Sequence, residues 1–331
     1  MNEQPTKSVK SLLEKGVSAY HQGDYLTAEA FYTEALSLAQ TDDNQSAMAS
    51  CLINLGAVYL QRGEHECTLD VLQQATEMTQ TLGQDEKTAA ATHMRAGILM
   101  RIGEFEEAID SFTTSIDAYR RLGAEESMLG SLATRAMCDL AVGDIERARR
   151  DLEKSIVLQR QLHENVVPAN SLGKLAEVLY LAGEYEEALE ALQESLAISR
   201  AEEEHRELVI VLSRLTVVMV AQGNSQQAKT HLLEGAKLAR TIDAPPTQLE
   251  IIRSASYYYN GIGQAEHGAK LGGLFATHPA TPAFLVAISI DNLKSKLSKT
   301  LNKSQIDALW IEGSQLDLTD TLATLIADFQ A

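Results

Sequence analysis

The sequence predicts an all-α fold: a right-handed α-solenoid of tandem helix–turn–helix units that ends in a helical tail. Three observations carry this. Gly23, Gly63, Gly103, Gly143, Gly183, Gly223 and Gly263 recur at intervals of forty residues, the mark of one supersecondary unit copied in tandem. Columns of small and large residues repeat in register with these glycines. Alanine, leucine and glutamate dominate the composition, which suits helices, and the six prolines fall at the N-terminus or between predicted helices.

Each unit reads as two amphipathic helices. In the fifth, Leu172, Leu175, Ala176, Leu179 and Tyr180 recur at helical spacing before Gly183. After it, Tyr185, Ala188, Leu189, Leu192, Leu196 and Ile198 do the same. The glycine stands at the break, where a left-handed backbone is least costly without a Cβ. We call the helix before the glycine helix A and the one after it helix B.

The columns predict the packing. Seven residues before the first six glycines stand Gly16, Gly56, Ala96, Ala136, Ala176 and Thr216. Five residues after them stand Ala28, Thr68, Ala108, Ala148, Ala188 and Ala228, and twelve after them Ala35, Ala75, Ser115, Ser155, Ser195 and Gly235. Nine after them come the large residues Tyr32, Leu72, Phe112, Leu152, Leu192 and Leu232. Small residues admit close helix approach, and the large ones are expected to fill the gap between neighbouring units.

With these columns and the turns GDY, GEF, GDI and GEY at Gly23, Gly103, Gly143 and Gly183, residues 8–275 resemble the tetratricopeptide repeat family. The period exceeds that family's usual ~34 residues. The extra residues are expected between helix B and the next helix A, as in TDDNQS, GQDEKT and AEEEHR. This longer form is similar to the solenoids of kinesin light chains and of MalT-like bacterial regulators. The seventh unit is degenerate: Gly272 stands where a large residue belongs and Phe275 where a small one does.

The chain therefore divides into a flexible N-terminus (1–7), seven repeats (8–275) and a C-terminal helical cap (276–331). Helices are expected over 283–301, 304–312 and 319–329. The tail stretch HPATPAF…IDALWIEGSQLDLTDTLATLI resembles the end of large bacterial signalling ATPases and regulators that contain tetratricopeptide repeats. That resemblance implies a sensor arm for signal transduction, although no G-x-x-x-x-G-K-[ST] loop for an ATPase is present.

The formal charge of −18 argues against direct nucleic-acid binding and against a membrane partner, since both are anionic. Cys51, Cys67 and Cys138 are too far apart for a metal or redox motif. They read as reduced, mostly packed thiols of a cytoplasmic protein. His163-Glu164 starts an H-E-x-x-H pattern that Val167 breaks. No catalytic constellation, cofactor or metal is expected, and the chain is read as a non-enzyme.

The resemblance implies that helices A line a concave groove that takes a partner peptide or helix. The candidate residues there are Tyr20, Asn54, His93, Arg95, Arg101, Arg135, Met137, Asn170, Lys174, Tyr180 and Arg214. The cations Arg95, Arg135, Lys174 and Arg214 stand eight or nine residues before a turn glycine and are expected to form a ladder for an acidic peptide segment. The bland alternative pairs each of them with a glutamate of a neighbouring unit. Leu13 and Val17 occupy the places of the first two residues of the carboxylate clamp of chaperone-binding relatives, so that ligand is not expected. The function predicted is a scaffold or adaptor that binds protein; the second reading is a regulatory sensor acting on a partner in trans.

Overall fold

Left-handed glycines divide the chain into helices of nearly uniform length. The computed structural model of the chain describes residues 8–163 and 167–330; the expected flexible arm 1–7 and Glu164 of the broken H-E-x-x-H pattern lie outside them. The seven units are α1 (Val9–His21) and α2 (Tyr25–Thr41), α3 (Gln45–Gln61) and α4 (His65–Thr81), α5 (Asp85–Ile102) and α6 (Phe105–Leu122), α7 (Glu125–Ala141) and α8 (Ile145–Leu162), α9 (Ala169–Ala182) and α10 (Tyr185–Ala201), α11 (His205–Ala221) and α12 (Ser225–Ala239), and α13 (Pro245–Gly261) and α14 (Ala265–Thr277). The tail adds α15 (Ala283–Leu297), α16 (Lys303–Gly313) and α17 (Leu318–Gln330). No strand occurs among the described residues. Packing divides the chain into two compact units, Met1–Arg135 and Ala136–Ala331. Pro245 and Pro246 open α13 rather than lying between helices; a first-turn N–H has no intrahelical partner, so proline costs nothing there.

All seven turn glycines have positive φ, from 75° at Gly63 to 91° at Gly103. A second series interleaves with them at the junctions between units: Asp43, Gly83, Gly123 and Glu203 also have positive φ. Both series close in the same way. The N–H after the left-handed residue bonds the carbonyl five residues back, Asp24 to Ala19 within a unit and Asn44 to Ala39 between units, as in a Schellman-type helix end. That same residue then caps the next helix. Asp24, Asn44 and Asp144 accept from the N–H three residues on, at 3.0–3.1 Å. The extra residues of the long repeat therefore do not form a loop after helix B, as expected from the sequence. In TDDNQS, Thr41 ends α2 and Gln45 starts α3, so the added residues lengthen the helices.

The small columns are fully buried at Ala28, Thr68, Ala108, Ala148, Ala188 and Ala228, and again at Ala35, Ala75, Ser115, Ser155 and Ser195. The large column corrects the expectation in part. A Cβ on Gly16 would lie 2.3 Å from the Tyr32 ring, and one on Gly56 would lie 2.8 Å from Leu72. Each large residue thus seats first on the small one of its own unit. It then reaches the next unit, as Tyr32 does toward Leu55 and Val58. The small residue twelve after the glycine receives the neighbour: a Cβ on Gly235 would meet Ile251 of the next helix A at 2.7 Å.

The degenerate seventh unit has a packing reason. A Cβ on Gly272 would meet the Trp310 ring at 3.1 Å, and one on Gly273 would meet the Trp310 carbonyl oxygen at 2.3 Å. Gly313 of α16 comes equally close to the Lys270 carbonyl. With no eighth helix A to receive a large side chain, α14 presents bare backbone and α16 lies against it. Helix α17 packs on α12 and α13, where Phe329 stacks on Tyr259 at 6.0 Å and Lys229 stands 5.4 Å over its ring. Helix α15 ends at Leu297, four residues short of expectation, and the chain turns so that Leu301 is buried.

Two stability outcomes follow. Glu203 holds a left-handed backbone (φ 56°) that costs a non-glycine residue about 1 kcal/mol. Glu203→Gly should raise stability by roughly 0.5–1 kcal/mol, read as a higher urea midpoint. Ala188→Leu, at a fully buried seam, should destabilise by roughly 1–3 kcal/mol; an unchanged melting temperature would refute the register.

Candidate functional site

The eleven candidate residues divide between the two compact units. In the first unit Tyr20 packs edge-on against Tyr25 (5.6 Å) and His21 (5.8 Å), Asn54 is half-buried on α3, and Arg101 is exposed at the end of α5. His93 Nδ1 lies 2.8 Å from Ser131 Oγ, and its ring meets Phe112 edge-on at 5.6 Å. Burial lowers its pKa, which keeps the imidazole neutral at pH 7. Ser131 Oγ in turn lies 3.3 Å from Ser115 Oγ, which donates to the Ala89 carbonyl at 3.1 Å.

Arg95 and Arg135 both turn toward α6. Arg95 donates from Nη1 to Ser111 Oγ (2.5 Å) and from Nη2 to Glu107 (3.0 Å). Arg135 donates from Nη1 to Thr113 Oγ1 (2.8 Å). Arg95 keeps 20% of its side chain exposed, and Glu107 keeps 60%. Water screens such a pair heavily.

The second unit holds Met137, Asn170, Lys174, Tyr180 and Arg214. Met137 is buried, and Asn170 is exposed at the start of α9, where it accepts from Ser171 Oγ at 3.3 Å. Lys174, Tyr180 and Arg214 come together around a residue that sequence reasoning passed over, Glu177. One Glu177 oxygen accepts from Arg214 Nε at 3.2 Å, and the other accepts from Arg253 Nη1 at 3.0 Å. Arg253 Nε also donates to Glu250 at 2.9 Å. These residues are 1% (Arg253), 5% (Glu177 and Glu250) and 8% (Arg214) exposed. The network ties α9, α11 and α13, three successive helices A, to one carboxylate. A Cβ on Gly173 would lie 2.5 Å from Arg214 Nη1, so the glycine makes room for the guanidinium.

The electrostatics follow from this enclosure. Burial alone would push Glu177 up, but the charges and hydrogen bonds of Arg253 and Arg214 hold it below the usual carboxylate range. At the margin, burial lowers the pKa of Lys174 with help from Arg214, while Glu207 works against them. Burial raises Glu207 itself, and its Oε1 has no hydrogen-bond partner. Tyr180 and Tyr257, beside the network, are pushed up first by burial. Both hydroxyls find acceptors on α15. Tyr257 donates to the Ser289 carbonyl oxygen at 3.1 Å, and Tyr180 donates to Asn292 Oδ1 at 3.4 Å.

The missed residues had a signal. Six residues before the glycines stand Val17, Ala57, Gly97, Met137, Glu177, Val217 and Tyr257; ten before them stand Leu13, Ile53, His93, Ala133, Gly173, Ser213 and Arg253. Glu177 and Arg253 are the lone carboxylate and the lone guanidinium of those two columns. Opposite charges that each break an apolar or neutral column mark a buried pair. The cysteines offer no chemistry of this kind: Cys51 and Cys138 are buried, with burial pushing the thiols up to about 11 and about 12, while Cys67 is exposed.

Comparison with known proteins agrees with the repeat architecture. The profile of the MalT-like TPR region matches residues 15–255. The chain belongs to the MalT-like TPR family. Over 82 residues it is 32% identical to the photosystem I assembly protein Ycf3 of Acaryochloris marina. That match covers 25% of this chain and 48% of the relative, so the chain spans about half the length of the curated relative it matches. Among solved structures, a tetratricopeptide repeat protein of Parabacteroides merdae superposes with a TM-score of 0.60 at 15% identity, covering 93% of this chain and 99% of that one. A signal transduction ATPase with a tetratricopeptide repeat sensor from Pyrococcus horikoshii gives 0.61 at 14% identity over 92% of this chain and 44% of the other. At such identities the likeness is one of fold. In this TPR chain no described helix is long and apolar enough to cross a membrane, and no described group of three His, Cys, Asp or Glu side chains is placed to hold a metal.

The buried network yields a stability outcome. A carboxylate held below its unfolded pKa stabilises the fold above the ordinary carboxylate range and loses that contribution as pH falls through the depressed value. Glu177→Gln removes the carboxylate partner of Arg214 and leaves Arg253 with Glu250 alone, and should cost about 3–5 kcal/mol at pH 7. The gap to the native chain should narrow below about pH 4, as read from urea denaturation at pH 7 and pH 3.

Proposed function

We propose that this TPR chain is a non-enzymatic scaffold that holds a partner polypeptide against its helix-A surfaces. The observation that supports the reading most directly is the tail. Helix α15 lies against helix-A residues of its own compact unit, with the Tyr180 and Tyr257 hydroxyls bonded to it and Lys296 Nζ 5.8 Å from the Tyr180 ring centroid. A surface that seats one helix through hydroxyl donors and an aromatic face has the means to seat another.

In the first unit the same role falls to Arg95 and Arg135. Their partners there include serine and threonine hydroxyls and the exposed Glu107, which an acidic segment can replace through charge-assisted bonds. Asn54, Arg101 and Tyr20 contribute rim contacts, while Asn170 and Lys174 do so in the second unit. The second reading is a sensor that acts on a partner in trans, inside the cell. It is favoured by the same tail contact, because occupancy of the wall and the seating of α15 are then coupled.

Arg95→Ala combined with Arg135→Ala should weaken partner capture at least about tenfold, at about 1.5–3 kcal/mol per charge-assisted bond. Helicity should stay intact, and capture by the native chain should fall with added salt. The readout is affinity capture followed by titration of the captured polypeptide. Equal capture by the double variant at equal salt would place the binding surface elsewhere.

A further inference from the structure

The face that α15 turns toward the wall carries Ser289, Asn292 and Lys296, spaced three and four residues apart and therefore on one side of the helix. Its carbonyl at Ser289 and its amide at Asn292 accept from Tyr257 and Tyr180, and Lys296 stands over the Tyr180 ring. Leu285, Ile288, Leu293 and Leu297 are the buried apolar positions of the same helix. Helix α15 itself carries Lys294 and Lys296 against the single acid Asp291, in a protein whose formal charge is −18. The resident of the wall is therefore an amphipathic helix with a net positive charge.

The wall suits that resident better than an acidic one. Arg214 and Arg253 are already committed to Glu177 and Glu250, so neither guanidinium is free to take a carboxylate. What the wall offers beside them is two tyrosine hydroxyls and an aromatic face, which call for acceptors and a cation. The polar contacts between α15 and the two tyrosines are two hydroxyl bonds, one of them 3.4 Å long, and one cation–π contact at 5.8 Å, while Leu285, Ile288, Leu293 and Leu297 are buried and Lys294 stands 4.9 Å over the Trp310 ring. A buried hydroxyl bond contributes about 1 kcal/mol net, and an amphipathic helix of the same chemistry replaces the polar and the apolar contacts alike.

We propose that α15 is a built-in occupant of the helix-A wall of the second unit. A partner presenting a basic amphipathic helix, with an amide side chain four residues before a lysine, takes its place. The inference rests on the reading that these surfaces hold polypeptide. It adds the partner's chemistry, basic and helical in this unit where the charge row alone suggested acidic, and it adds a release step. Binding of the partner frees α15, and the half-buried Lys296 enters solvent.

The test uses the full chain and a labelled synthetic peptide of residues 283–301 as probe. With the native chain, about 1 mM peptide should speed amide hydrogen exchange over α15 by about tenfold while α9 and α13 stay protected. The variant N292D/K296E weakens the resident helix. It should bind the native-sequence peptide at least about tenfold more tightly than the native chain does. Adding Y180F and Y257F to that variant removes both donors and should cost about tenfold again. Equal peptide affinity in the native chain and N292D/K296E would overturn the proposal, as would α15 amides indifferent to the peptide. Far-ultraviolet circular dichroism checks that the variants fold, and the exchange measurement on the native chain decides the matter if they do not. Loss of this effect leaves the capture test on Arg95 and Arg135 untouched, so the two readings fail separately.

Discussion

The carboxylate of Glu177 is the constraint around which the second unit is arranged. A charge removed from water needs paired partners, and Arg214 and Arg253 reach it from two different helices. The consequences run outward from that point. The spacing of α9, α11 and α13 is fixed by the reach of two guanidinium groups. A side chain at position 173 would press on the Arg214 guanidinium, 2.5 Å from where its Cβ would stand. Tyr180 and Tyr257, buried beside the network, donate their hydroxyls to α15.

The first unit solves the same packing problem with neutral groups. His93, Ser131, Ser115 and the Ala89 carbonyl form a relay of short hydroxyl contacts, and the arginines lie nearer to solvent. Neutral hydrogen bonds contribute about 1 kcal/mol each and tolerate repacking, whereas a buried ion network tolerates almost none. One repeat pattern thus yields two walls of different stiffness. In the softer one Arg95 and Arg135 are half-buried and bonded to hydroxyls and Glu107, and in the stiffer one Arg214 and Arg253 are buried against carboxylates.

Much of the fold was legible because the turn glycines and small columns report directly on backbone geometry and contact distance. The junction turns were legible only in part, because Asp43 and Glu203 adopt the left-handed conformation without a glycine to announce it, unlike Gly83 and Gly123 at the same place in their units. The surplus residues of the long repeat were therefore placed between helices rather than within them. The candidate site was legible only as a list of helix-A polar residues. Which cations are locked into a buried network depends on Glu177 and Arg253, seventy-six positions apart in sequence, and on a tail whose contact with the wall no local pattern announces. Yet both charges stood alone in their columns, so comparison down the columns rather than along the chain would have singled them out.

The bare backbone at Gly272, Gly273 and Gly313 has a consequence for how such an array can change over evolutionary time. Each of the first four units presents a large side chain to a small one, so duplicating one of them lengthens the array at little cost, whereas α9, α11 and α13 are bound into one network. The seventh has given up that interface: its helix B carries glycine where a further helix A would need something to grip. Growth by duplication is therefore open in the first four units and closed at this end.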